Sequence, residues 1–279
     1  MFGLYALGAL VSKASAASYP HDQIQKPFVK TSSGLEVTAD GSGELYWDYT
    51  GGTGPLLWTK LNRKEWPLCQ SGDLQSPINI DNTMKPSGFR YEWAAPLRAC
   101  YNMTNTGRTI ELKPTCPSIG ERDVVGIMIE NDWFNLDGIT FHTPSEHRFL
   151  DEYYPIEAHF IMKSPKTGKI TTPHTRRYAV RVVFFDVSNI HESDFWSGIS
   201  PYLYSEFQRA GINNKVYNYQ GSLTTPPCSQ NVIWDILSVP QAVSVETYNL
   251  LKRIIKFNAR YTQNTPGKVN LLSEACQKK

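Results

Sequence analysis

The chain has 279 residues, with 28 lysines and arginines against 26 aspartates and glutamates and a formal charge of +2. So even a balance gives no strong field and points away from nucleic acid or an acidic membrane surface as a partner. The length allows one large domain with a substantial core, and no apolar run is long enough to span a bilayer as a transmembrane segment.

The first residues, M-F-G-L-Y-A-L-G-A-L-V, form an apolar run followed by A-S-A at Ala14 to Ala16. They predict a secretory signal over residues 1–17 and hence a secreted, extracellular protein; Lys13 follows the run and no basic residue precedes it, so a plain N-terminal tail is the alternative. Residues 18–44 are polar, with Pro20 and Pro27, and read as a loosely held extension. A domain over residues 45–272 and a polar tail over 273–279 complete the chain.

Within that domain, short apolar runs alternate with turn residues: Arg98 to Met103, Arg108 to Lys113, Val124 to Glu130, Phe134 to Phe141, Ile156 to Met162, Tyr178 to Val187 and Asn231 to Leu237. Asn105-Thr106-Gly107 is a hairpin signal, because glycine accepts the positive φ such turns need. One long helix is predicted, Val245 to Phe257, with Ser244 as its cap and Tyr248, Leu251 and Ile255 on one stripe. The pattern is mainly β, with one large twisted sheet and small peripheral helices.

Five cysteines in a chain bound for the secretory route imply at least one disulfide. Cys100 and Cys116 flank a hairpin but look out of register for a bridge across it, and Cys276 lies near the end. Asn102-Met103-Thr104 is an N-glycosylation sequon.

The chemistry concentrates between Gly138 and Phe160, where two strands flank a loop containing Pro144 and Pro155. Strand alternation puts Thr140 and His142 on one face of the first strand. Glu157 and His159 are assigned to opposite faces of the second. Imidazoles on neighbouring strands can converge on a cation, but zinc catalysis takes three protein ligands and an open water position, and only two histidines are available. Taken singly, each histidine in a strand reads as structural. His21, His174 and His191 lie in polar surroundings and read as surface residues.

The run F-H-T-P-S-E-H with the following E-A-H resembles the zinc region of α-class carbonic anhydrases. Further matches are Y-W-D-Y-T, the segment Cys69 to Ile80, the segment Tyr219 to Trp234 and N-A-R-Y-T-Q at Asn258 to Gln263, so the likeness covers residues 46–272. It implies that family's fold. It also implies that His142 and His159 stand at two zinc-ligand positions and Thr140 at the third, that Glu157 orients a ligand ring, and that His147 is a buried structural group. Thr224 matches the threonine that orients a zinc-bound hydroxide and passes its proton to Glu146. Thr225 matches its neighbour, and Ile161, Val180, Leu223 and Trp234 match the apolar wall of the substrate pocket, although composition alone reads these four as ordinary core.

Cys69 and Cys228 fall where secreted members carry a bridge. Arg108 stands at the proton-shuttle position, where it cannot cycle a proton near neutral pH, and Gly138 replaces a glutamine that supports the first zinc histidine. A neutral hydroxyl is a poor zinc donor beside imidazole. The resemblance therefore implies carbon dioxide hydration that is lost or strongly reduced, zinc bound weakly or not at all, and a cleft kept for a small-molecule ligand or another reaction. The alternatives are a zinc-dependent carbonate dehydratase with an atypical metal site, and a non-catalytic module binding a glycan or a protein.

Overall fold

The computed structural model describes residues 46–88, 100–115, 125–165, 178–190, 192–197 and 215–277, and the backbone of three further strands. The segment 1–17 expected to be a signal, most of the extension, Cys116, His21, His174 and His191 lie outside the described residues.

Fourteen strands are present among the described residues. They are β1 (Phe28–Lys30), β2 (Glu36–Thr38), β3 (Asn79–Ile80), β4 (Tyr91–Ala94), β5 (Tyr101–Asn105), β6 (Ile110–Pro114) and β7 (Gly126–Ile129), then β8 (Asp132–His142), β9 (Arg148–Phe149), β10 (Ile156–Lys163), β11 (Tyr178–Ser188), β12 (Val216–Ser222), β13 (Gln230–Leu237) and β14 (Gln241–Ser244). Ten of them make one mixed sheet along the path β12-β13-β11-β10-β8-β6-β5, with β14 beside β11 and β4-β7 beside β8. The longest strands, β8 and β11, lie in the interior of that path, and most of their side chains are buried.

Two apolar clusters sit on the sheet. The larger includes Phe134, Phe141, Phe160, Phe185, Phe195 and Trp196 and reaches the helix Val245–Ile255 through Leu251 and Ile255. That helix starts as expected, with the Ser244 hydroxyl accepting the Thr247 amide, and ends two residues earlier than expected, because Lys256 turns to φ +63°. The smaller cluster contains Val180, Val182, Phe184, Trp234 and Ile236, with Leu223 packed on it.

The register fixes the site. Antiparallel pairing of β8 with β10 sets His142 opposite Glu157 and Thr140 opposite His159. On its other side β8 pairs with β6, setting Thr140 opposite Glu111. Glu157 and His159 are two residues apart and therefore share a face, correcting the expectation of opposite faces; a side-chain period of two leaves no other outcome in a regular strand.

Cys69 and Cys228 are bonded, with Cα atoms 5.1 Å apart although the residues are 159 positions apart in sequence. Cys100 is also disulfide-bonded, a state the sequence reading left open. The strand pair is still joined there, for the Thr115 amide donates to the Cys100 carbonyl at 2.8 Å. Cys276 is free and exposed.

The chain-entropy relation gives about 5 kcal/mol for a loop as long as that closed by Cys69 and Cys228. The variant Cys69→Ser/Cys228→Ser is expected to melt on the order of 10 °C below the parent. A melting temperature within one degree of the parent in a calorimetric scan would show that the packing around Trp58 holds this region without the bond.

Candidate functional site

Glu157 is the centre of the polar arrangement. Fully buried, it accepts the backbone amides of Glu146 and His147 on Oε2, each at 2.8 Å. Its Oε1 meets His147 Nδ1 at 2.7 Å and His159 Nε2 at 2.5 Å. Burial alone would raise its pKa; the two imidazoles and their hydrogen bonds outweigh that and hold the carboxyl well below the usual carboxylate range. His147 also touches the Tyr219 hydroxyl through Nε2 at 2.6 Å, so both its ring nitrogens are used inside the protein.

His142 is fixed from another direction. Its Nδ1 lies 2.8 Å from the Asn258 carbonyl, an acceptor, so Nδ1 carries the proton and Nε2 keeps its lone pair. Burial lowers its pKa, which favours the neutral ring. By the same logic His159 gives its Nε2 proton to Glu157 and keeps a lone pair on Nδ1. The two rings have their centroids 4.3 Å apart.

These rings line a cavity of about 290 Å³ together with Thr140, Thr224, Thr225, Ile161, Val180, Leu223 and Trp234. Every pocket residue named from the resemblance thus reaches one cavity. Arg108 lies at it too, but not as a solvated side chain: its guanidinium sits 4.3 Å from the Trp47 ring centroid and donates to the Trp47 carbonyl at 3.1 Å.

Glu146 is buried, its Oε1 accepting the Arg260 backbone amide at 2.8 Å. Its Oε2 has no hydrogen-bond partner, so the expected contact with the Thr224 hydroxyl is not made in this structure. That oxygen lies 3.6 Å from His142 Nδ1 and 3.9 Å from His159 Nε2. Those are the nitrogens already donating to Asn258 and Glu157, so Glu146 stands behind the rings and not on their lone-pair side.

Zinc is the ion the resemblance implies, and the donors present fit it incompletely. Two imidazole nitrogens are prepared by oriented acceptors on their far sides, as metal-ligating rings are. At the third position that the resemblance implies stands the Thr140 hydroxyl, so a three-imidazole set is not formed.

Three contributors escaped the sequence reading of the site. Asn258 orients His142 through its carbonyl, accepts the Thr143 amide at 2.9 Å, and donates to the Phe141 and Arg108 carbonyls at 2.8 and 3.0 Å. Arg260 is buried and donates to the Ser76 and Cys69 carbonyls at 2.7 and 3.1 Å, tying the disulfide segment to the site. Glu111 lines the cavity beside Thr140. The first two lie in the N-A-R-Y motif, whose presence was legible and whose contacts were not. Glu111 had no signal beyond strand alternation.

Replacing Asn258 by Ala removes one buried acceptor and two donors. At roughly 1 kcal/mol per hydrogen bond the loss is on the order of 3 kcal/mol. The check is urea unfolding followed by tryptophan fluorescence; an unchanged midpoint would show that water replaces the lost amide.

A family model described as eukaryotic-type carbonic anhydrase matches residues 53–271. A carbonic anhydrase of Pectobacterium atrosepticum is 26% identical over 243 residues, spanning 83% of this chain and 93% of its own. Carbonic anhydrase Nec1 of Nesocodon mauritianus is 29% identical over 234 residues, spanning 78% and 80%. Among solved structures, the fungal alpha carbonic anhydrase of Aspergillus oryzae superposes with a TM-score of 0.67 at 29% identity, covering 84% of this chain and 99% of that one.

Proposed function

The chain belongs to the eukaryotic-type carbonic anhydrase family, and from that premise we propose that it is an extracellular member in which carbon dioxide hydration is lost or strongly reduced while the pocket is kept for another small ligand or reaction. One observation carries this reading. Thr140, between Glu111 and His159 in the register, puts a hydroxyl where the resembled site needs an imidazole.

Dividing the 10 to 16 kcal/mol typical of a four-donor zinc site evenly, one missing donor costs roughly 3 to 4 kcal/mol, or several hundredfold in affinity. Zinc is then held weakly. Arg108 adds a second obstacle, since a guanidinium packed on Trp47 carries no proton away near neutral pH. The protein's own groups still provide an apolar wall in Ile161, Val180, Leu223 and Trp234, and oriented acceptors in the two imidazoles. An outside location is supported by the two disulfide-bonded segments at Cys69 and Cys100. Asn102 is exposed on β5, as a glycan acceptor must be.

A second reading, a zinc-dependent carbonate dehydratase with an atypical metal site, is favoured by the names of the relatives, which are carbonic anhydrases. Stopped-flow hydration separates the two. The parent is expected to retain well under one zinc per chain after dialysis against a mild chelator and to hydrate slowly. Thr140→His is expected to bind zinc several hundredfold more tightly and to hydrate faster, with a rate that rises with buffer concentration because buffer replaces the missing proton relay. A parent as active as its variant would give the second reading the lead. Stoichiometric zinc in Thr140→His without hydration at high buffer would show that Thr224 and Glu146 do not assist as the resemblance implies.

A further inference from the structure

The polar lining of the cavity both accepts and donates hydrogen bonds. His142 keeps a lone pair on Nε2 and His159 on Nδ1, because the Asn258 carbonyl and Glu157 take their protons. Thr140, Thr224 and Thr225 line the same space, and a threonine hydroxyl donates one hydrogen bond and accepts others. None of these three hydroxyls meets a hydrogen-bond partner among the described residues. Ile161, Val180 and Leu223 add carbon to the lining. So does Trp234, for its indole N–H is already given to the Ser222 carbonyl at 2.9 Å.

A charged ligand finds no counter-ion at these groups. An anion would meet two lone pairs. A cation would need a carboxylate turned toward it, and the nearby ones are placed otherwise: Glu157 and Glu146 stand behind the rings, and Glu111 pairs with Lys113 at 3.7 Å. Arg108, the cation of the lining, stacks on Trp47 and donates to its carbonyl. Taking an ion out of water without a partner is costly, so the lining selects a neutral molecule. Hydroxyl groups suit it, since each can donate to an imidazole lone pair and accept from a threonine. Two such groups on neighbouring carbons match two rings whose centroids are 4.3 Å apart. The volume of about 290 Å³ stands at the lower end of ligand pockets, roughly 300 to 1,000 Å³, and suits a single ring.

We infer that the cavity takes, without a metal ion, a neutral ring-sized molecule with hydroxyl groups on neighbouring carbons, a cyclic diol or polyol whose hydroxyls meet His142, His159 and the threonines while its C–H face meets Leu223 and Trp234. This rests on the proposed function, which keeps the pocket for a small ligand, and it names the class of that ligand. It also gives Thr140 a use, because a hydroxyl is a poor donor to zinc and a good partner for another hydroxyl.

The test is isothermal titration calorimetry on the full chain, stripped with chelator, using molecules built on one six-membered ring: cis-cyclohexane-1,2-diol, cyclohexanol, cyclohexanecarboxylate and cyclohexylammonium. The diol is expected to bind about fivefold more tightly than cyclohexanol, the worth of one added hydrogen bond, and at least about tenfold more tightly than either ion. Added Zn²⁺ leaves its affinity unchanged. Thr140→Val and Thr224→Val, each nearly isosteric, are expected to weaken the diol about fivefold apiece, with circular dichroism and melting confirming the fold. Either ion binding as tightly as the diol, a diol heat indistinguishable from buffer, or diol binding that requires Zn²⁺ would overturn the inference. Full diol affinity in both valine variants would overturn it too, by placing the molecule elsewhere. Hydration is read separately: a fast, zinc-loaded parent defeats the proposed function whatever the diol does, whereas failure of the diol in a slow parent defeats this inference alone.

Discussion

A single carboxylate holds this site together. Glu157, fully buried in β10, takes two backbone amides on one oxygen and two imidazole nitrogens on the other. The amides belong to Glu146 and His147, so the loop after β8 is fixed to β10. The imidazoles belong to His147 and His159, so one structural ring and one pocket ring share an acceptor. Desolvating a carboxylate is costly, and four donors make burial tolerable while keeping it ionised. The tautomer of His159, and with it the direction of its lone pair, follows from that charge.

A second anchor lies across the pocket. Asn258 and Arg260, two residues apart after the helix Val245–Ile255, reach His142, the end of β8, Glu146 and the segment around Cys69. The Cys69–Cys228 bond then ties that segment to the loop bearing Thr224 and Thr225. The cavity is thus built from strands by register and from loops by buried hydrogen bonds. Ile161, Val180, Leu223 and Trp234 form its apolar side, and Thr140, Glu111 and Arg108 also line it. The Oε2 of Glu146 is a buried acceptor without a hydrogen-bond partner.

Apolar runs bounded by turn residues sufficed to find β8, β10, β11 and β13, because strands covered on both faces are apolar along much of their length. Ser244 and the stripe through Leu251 sufficed for the helix. Short strands such as β14 were not legible, since four residues carry too little period. The faces of Glu157 and His159 were legible from spacing alone and were misassigned. The stacking of Arg108 on Trp47 joins residues 61 positions apart in the chain, which is not a local property.

By itself the sequence determined the family, the mainly β fold, the positions of His142, His159 and Glu157, and the absence of an imidazole at residue 140. Those are questions of residue identity, order and period. Only the tertiary structure decided that Glu111, Thr140 and His159 stand in one row, that both histidines turn a lone pair toward the cavity, and that Arg108 is committed to Trp47. Each depends on which strand lies beside which and in what register. That arrangement is set by the packing of the whole sheet, which no short window of residues contains.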